Sequence, residues 1–307
     1  METSALNQVV VAGGTGLVGR ALVKALLERG SRVIVLTRNP GLPTLPPGAT
    51  AHGWEDLPTL LEEADAVINL AGEGIADRRW STARKAAILD SRIDATARLV
   101  AAMRGCAHPP RVLVNASAIG FYGSRDEERV DESADSGLGF LPDVCRAWET
   151  EAFAAAKLGV RVALLRLGVV LAKEGGALPK MARPLRWFAG CKLGSGLQGL
   201  SWIHLDDLVA MLLEAARNPA WEGAFNATAP QPLSNEAFTR MLATRLRRPV
   251  LPVPGAVTTL ALRLRFGEMA EELLLRGAYV LPARAQALGF PFRFPTAKAA
   301  LDDLLPG

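Results

Sequence analysis

The stretch Val9-Val10-Val11-Ala12-Gly13-Gly14-Thr15-Gly16-Leu17-Val18-Gly19 runs an apolar segment into a glycine-spaced turn and out into a second apolar pattern. A buried strand that breaks at glycines and opens into a helix aims free backbone N–H groups at one point, where a diphosphate can sit. Spaced glycines alone are a weak signal, because such turns also occur in loops that bind nothing. Here the context supports them. Leu17, Val18, Ala21, Leu22, Ala25 and Leu26 recur at helical spacing, so one face of a helix packs on a sheet. Gly30 suits the end of that helix, and Val33-Ile34-Val35-Leu36-Thr37 then completes a strand–helix–strand unit. The turn predicts a dinucleotide site at Gly13, Thr15, Gly16, Leu17, Val18 and Gly19.

The end of the second strand selects the cofactor. An acidic residue there would bind the ribose hydroxyls of NAD, but the chain places Arg38 after Thr37, with no carboxylate until Glu55. A guanidinium suits a 2′-phosphate, which it can hold through paired, charge-assisted hydrogen bonds. The expectation is NADP rather than NAD, with a solvated loop arginine as the plainer alternative.

With 307 residues, half of them hydrophobic, the chain can bury one large or two unequal domains. Its net charge of +4 is spread among interspersed acidic residues with no long basic run. That pattern argues against nucleic acid as a partner and suits anionic cofactors and substrates. Arg245-Leu246-Arg247-Arg248, beside Pro249, reads as a charged helix end. Cys106, Cys145 and Cys191 are too scattered for a disulfide framework and read as reduced thiols of a cytoplasmic protein. His52, His108 and His204 are equally scattered, so no metal site follows from spacing. Met1-Glu2-Thr3-Ser4 opens no leader pattern, and no uncharged apolar stretch reaches the roughly eighteen residues of a membrane span. The chain is therefore expected to be soluble and unexported.

Beyond a turn-rich connection from Pro40 to Pro47, strands are expected over 64–70, 111–116 and 160–167, and helices over 80–104 and 142–158. Leu70, Ala71 and Gly72 close one strand with small residues that let a cofactor approach the backbone. This alternation predicts an α/β fold of the Rossmann type, a doubly wound parallel sheet covered on both faces. Past Gly168 glycines break the pattern, Trp202-Ile203-His204 reads as a short strand, and a helix follows over 206–216. More helix is expected over 236–247 and between 257 and 276. Residues 1–229 are thus assigned to a dinucleotide-binding domain with substrate-facing insertions around 170–204. Residues 230–307 are assigned to a smaller, mostly helical substrate lobe.

With Gly13-x-x-Gly16-x-x-Gly19, Ser117 at a strand end and Phe121-Tyr122-Gly123 after it, the chain resembles the extended short-chain dehydrogenase/reductases. It is similar above all to their epimerase-like branch, which carries an additional carboxy-terminal segment of unknown function. Asn69-Leu70-Ala71-Gly72, Arg79-Trp80, Ser91-Arg92, Ala116-Ser117-Ala118, Trp148-Glu149 and Gly175-Gly176-Ala177-Leu178-Pro179-Lys180 carry the likeness. Ser201-Trp202-Ile203-His204, Asp206-Asp207-Leu208, Arg248-Pro249, Gly267-Glu268-Met269 and Gly289-Phe290 extend it over nearly the whole chain. The resemblance implies a Rossmann-type NADP-binding domain and says little about substrate.

It also implies a proton-transfer pair that this chain lacks. In the wider superfamily a Tyr and a Lys four residues later on one helix move the proton, while a strand-end Ser holds the substrate oxygen. Here Tyr122 and Tyr279 are followed at that distance by Asp126 and Ala283, and the corresponding helix carries Cys145 and Glu149. A glutamate beside a thiol raises the thiol's pKa, so the two cannot replace phenolate and ammonium. Ser117 keeps the place to hydrogen-bond a substrate oxygen and to contact the cofactor. Tyr122 could supply a proton or only line the pocket. His204 could face substrate or be structural, and Trp80, Trp148 and Trp202 could wall a flat or sugar-like ligand or simply pack.

Two functions fit this reading. One is an NADP-dependent oxidoreductase or epimerase-like protein acting on an unidentified small carbonyl or sugar-nucleotide-like substrate. The other is a non-catalytic NADP(H)-binding regulator or redox sensor. The long helices over 80–104 and 142–158 could pair across a two-fold axis in a homodimer, with a monomer equally open.

Overall fold

The computed structural model describes residues 6–41 and 45–305. Met1-Glu2-Thr3-Ser4, read above for a leader, and the middle of the Pro40–Pro47 connection lie outside the described residues. The strands β1 (Gln8–Ala12), β2 (Arg32–Leu36), β3 (Ala49–His52), β4 (Ala66–Asn69), β5 (Val112–Ala118), β6 (Arg161–Leu167) and β7 (Gly223–Ala227) form one sheet. Their order is β7-β6-β5-β4-β1-β2-β3, parallel throughout. The order reverses at β1, which opens a crevice at the carboxyl ends of the strands.

Four longer helices flank this sheet: α1 (Leu17–Leu27), α2 (Thr82–Gly105), α3 (Phe140–Phe153) and α4 (Leu205–Arg217). The continuous apolar run of β1 serves both faces. Val9 and Val11 pack with Leu22 and Leu26 of α1 and Leu208 and Leu212 of α4. Val10 and Ala12 pack with Leu99 and Met103 of α2 and Ala152 of α3. A strand buried on two faces has no polar alternation to show.

The carboxy-terminal part is helical, with α5 (Asn235–Leu246), α6 (Gly255–Phe266) and α7 (Ala297–Leu304). A third core joins Phe238 and Leu242 of α5 and Leu301 of α7 to Leu171, Leu178 and Trp202. Two short ladders lace this part to the main body, Tyr279–Val280 on Arg129–Val130 and Leu233–Ser234 on Gly199–Leu200. The chain then returns to the first core. Phe290 and Phe292 pack against it, Phe290 edge-on to Trp221, and the Asp207 carboxylate accepts the backbone N–H groups of Arg293 and Phe294 at 2.9 Å each.

Several elements differ from the sequence reading. The helix expected over 142–158 is α3 followed by a tighter 3-10 segment, Ala154–Leu158, ending at Gly159 with φ +76°. The glycine-broken region contains a helix over Leu178–Arg186, which accepts Pro179 in its first turn, where a missing N–H costs nothing, and carries Pro184 in its interior. β3 and β7 have too few large apolar residues to stand out.

The turn after β1 is held by backbone contact. Gly13 has φ +79°, and a Cβ there would lie 2.6 Å from the Leu70 carbonyl oxygen at the end of β4. A Cβ on Gly19 would enter the Gly13 carbonyl and lie 2.6 Å from Gly14 Cα. Gly19→Ala is expected to destabilise the fold by about 1–3 kcal/mol through overpacking, read as a lowered urea midpoint. An unchanged midpoint would show that the turn is not pinned by this contact.

Candidate functional site

Gly16 behaves differently from its neighbours. It is exposed, and the nearest atom to a Cβ placed there is the Gly13 carbonyl oxygen at 3.5 Å, so packing does not demand glycine. Gly16 caps α1 in an extended conformation, supplies no side-chain acceptor, and is followed by no carboxylate in the first turn. The N–H groups that begin α1 therefore face the crevice with the positive end of the helix dipole. Leu17 and Val18 are half-buried beside them, and Gly176 approaches Leu17 from the far side, where a Cβ would meet Leu17 Cδ2 at 3.0 Å. The geometry suits a diphosphate.

Cations flank this point. Arg38 follows β2 with its side chain 86% exposed, and its Nη1 lies 3.7 Å from the Glu73 carboxylate. Thr37 ties the strand end to β3 by donating its N–H to His52 O. On the β4 side, Arg92 of α2 lies against Gly72, where a Cβ would be 3.1 Å from its Cζ. Its Nη1 donates to Ile88 O at 2.8 Å, its guanidinium sits 5.1 Å from the Trp148 ring centroid, and burial lowers its pKa. Among the described residues no other hydrogen bond uses its donors. Arg92 was quoted above for resemblance only, and its signal was a charged residue on the same helix stripe as Ile88, Ala95 and Leu99.

Behind Gly72 a buried polar spine fixes the strand end. Asn69 Nδ2 donates to Asn115 Oδ1 at 2.7 Å and to Thr96 Oγ1 at 2.9 Å, while Asn69 Oδ1 accepts the Ala71 N–H at 3.1 Å. Trp148 Nε1 donates to the same Thr96 hydroxyl at 3.0 Å. Trp148 is thus a buried strut and the underside of Arg92.

At the other end of the crevice, Ser117 near the end of β5 donates its hydroxyl proton to Glu149 Oε1 at 2.6 Å. Glu149 comes from α3, and Arg166 of β6 grips both its oxygens, Nε to Oε1 and Nη2 to Oε2, at 2.9 Å each. Arg166 also donates from Nη1 to the Tyr122 hydroxyl at 2.9 Å, stacks 3.4 Å from the Phe121 ring centroid, and is 5% exposed. Tyr122 passes its own proton to Asn226 Oδ1 of β7 at 2.7 Å. Asn226 Nδ2 donates to Leu281 O at 2.9 Å. The glutamate that replaces the expected lysine is therefore neutralised by an arginine from the next strand. Arg166 sits inside the apolar run of β6, where nothing in the local pattern marks it as a partner of Glu149.

This arrangement limits the chemistry. Ser117 is buried and its single proton is committed to Glu149, so toward any further group its oxygen can act only as an acceptor. Burial first, and the Glu149 carboxylate second, push the Cys145 thiol up to about 11, which keeps it protonated near neutral pH. Tyr122, read above as a proton donor or pocket lining, is fully buried with its hydroxyl between Arg166 and Asn226, and burial raises its pKa.

Three more of the candidates are buried and held by contacts of their own. Trp202 is fully buried in the third core and donates Nε1 to Gln231 O at 3.2 Å. His204 caps α4, its Nδ1 accepting from the Asp206 N–H at 3.0 Å, and stacks on Phe294 at 3.8 Å between ring centroids. It is 2% exposed with its pKa lowered by burial, so it does not face the crevice. Trp80, 9% exposed, donates to Ile75 O at 2.8 Å and meets Phe140 edge-on at 5.0 Å. No group of three or more His, Cys, Asp or Glu among the described residues could hold a metal ion, and no described helix is long and apolar enough to cross a membrane.

Comparison with known proteins agrees with this geometry. Residues 9–227 match the model of the NAD dependent epimerase/dehydratase family, and residues 257–304 match a domain of unknown function, DUF1731. The chain is 41% identical over 302 residues to the epimerase family protein SDR39U1 homolog, chloroplastic, of Arabidopsis thaliana, covering 95% of this chain and 85% of that protein. It is 39% identical over 298 residues to the epimerase family protein Mb2239 of Mycobacterium bovis, covering 95% and 96%. The crystal structure of human epimerase family protein SDR39U1 (isoform 2) with NADPH superposes with a TM-score of 0.87 at 32% identity, covering 97% of this chain and 99% of that one.

Removing one half of the buried ion pair tests its role. Arg166→Gln leaves the Glu149 carboxylate unpaired and is expected to lose about 3–5 kcal/mol of stability in urea unfolding, most of it restored by adding Glu149→Leu. A single variant as stable as wild type would contradict the pairing.

Proposed function

The chain belongs to the NAD dependent epimerase/dehydratase family, and on that footing we propose that it is an NADP(H)-binding oxidoreductase or epimerase-like protein. The observation that carries the reading is the anion cradle: an open Gly16 at the start of α1, flanked by two guanidinium groups. The first turn of α1 holds the diphosphate. Arg38 takes the 2′-phosphate in paired hydrogen bonds, and Arg92 faces the cofactor beside Gly72. Leu70, Ala71 and Gly72 give the backbone room, and the NADPH in the human relative's structure supports the choice of cofactor. Once bound, NADPH supplies a hydride at nicotinamide C4.

Substrate is a small carbonyl, hydroxyl or sugar-nucleotide-like compound, with an oxygen held at Ser117. Because Ser117 offers lone pairs, it prefers the hydroxyl form of that group. The same commitment of the Ser117 proton favours a second reading, a redox sensor that binds the two cofactor forms unequally and turns over nothing. Residues 1–229 hold the cofactor and 230–307 cover the substrate end, a division supported by the gap between the two family matches. The free thiols Cys106, Cys145 and Cys191 suit the cytoplasm. The neighbouring helices α2 and α3 would form the interface of a homodimer.

Thermal shift with NADP, NADPH, NAD and NADH tests the cofactor assignment. Saturation at about a hundred times Kd should stabilise the protein by about 2.7 kcal/mol. NADPH should raise Tm more than NADH at equal concentration, and Arg38→Ala should erase the difference. Equal shifts in wild type would sink NADP. NADPH oxidation with a panel of carbonyl compounds and sugar nucleotides then separates enzyme from sensor, which instead requires unequal affinity for NADPH and NADP.

A further inference from the structure

Arg38 and Glu73 stand on opposite sides of the crevice. Arg38 follows β2, Glu73 follows β4, and β1 runs between those strands. Their ion pair at 3.7 Å therefore crosses the carboxyl end of β1, in front of the glycine turn. The two ends are held very differently. Glu73 Oε2 accepts from Arg84 Nη1 at 3.0 Å, and its N–H donates to Ser91 Oγ at 3.0 Å. Arg84 is itself tied to the Gly74 carbonyl, with its side chain only 16% exposed. Among the described residues Arg38 has no such anchor and its side chain is 86% exposed, so Glu73 is the better-held partner and Arg38 the one freer to turn away.

We infer that Glu73 is a specificity-determining residue of the cofactor site, an internal carboxylate that holds Arg38 across the crevice until a 2′-phosphate takes its place. The inference rests on the assignment of Arg38 above. NADPH brings a stronger, bidentate anion in exchange for the carboxylate, whereas NADH brings none and leaves Arg38 with Glu73. Glu73 thus weakens NADPH binding slightly while it keeps the empty crevice from presenting a free cation.

Fluorescence titration of NADPH and NADH into wild type, Glu73→Gln, Arg38→Ala and the double variant tests this. Glu73→Gln should tighten NADPH about two- to fivefold, the range of an exposed ion pair, and move NADH less than twofold. The gain should vanish in the Arg38→Ala background and shrink in roughly 1 M salt, where the Debye length falls to about 3 Å. Unchanged or weaker NADPH binding, an equal gain for NADH, or a gain that survives without Arg38 would each overturn the inference. If Arg38→Ala alone leaves the preference for NADPH intact, the fault lies in the assignment of Arg38. Should Glu73→Gln fold poorly, Glu73→Asp withdraws the carboxylate by one methylene and should give a smaller gain of the same sign.

Discussion

The bidentate pair between Arg166 and Glu149 is the interaction on which the Ser117 end of the crevice depends. Neither charge could remain in so buried a place without the other. Once paired, they dictate their neighbours. Glu149 orders the Ser117 hydroxyl, and Arg166 orders Tyr122, which orders Asn226, whose amide then reaches the Leu281 carbonyl in the carboxy-terminal part. One line of contacts runs from the crevice through three strands to the lobe. Where the resemblance implies a tyrosine–lysine proton-transfer pair, this chain places a buried arginine–glutamate ion pair.

The strand, glycine turn and helix of the proposed cofactor end were legible in the sequence because their causes are local. A buried strand, a turn whose backbone must come close to β4, and a helix with a capping glycine all lie within residues 9–30, and each leaves a mark of composition or period. The other half depends on partners far apart in the chain. Glu149 looked like a damaging replacement because its partner lies 17 residues on, inside an apolar strand. Tyr122 left both a proton donor and pocket lining open because Asn226, its acceptor, is 104 residues away. His204 and Trp202 sit in a stretch that looked substrate-facing, yet Phe294 and Gln231 claim them from the carboxy-terminal part. β7 escaped notice because Gly223, Ala224 and Ala227 give it little bulk, although Phe225 anchors it in the first core.

Membership of the family and the two halves of the crevice point in different directions. Binding elements are complete in kind: an open helix end, a cation past β2 and a second cation beside Gly72. Proton-transfer elements are recast as structure. If the proposed oxidoreductase activity holds, it would rely on orientation and on whatever proton the substrate carries.

The return of the last segment to the first core has a consequence for how the chain is made. Phe290 and Phe292 close over Trp221, and the backbone of Arg293 and Phe294 satisfies Asp207 at the start of α4. A chain still emerging from the ribosome holds its glycine turn, its sheet and α4 long before those groups arrive, and until then Trp221 and the Asp207 carboxylate lack their final cover. Folding of the nucleotide-binding half would thus be completed only after residues 290–294 have been made, and a chaperone guarding the nascent protein would find its exposed apolar surface around Trp221 and β7.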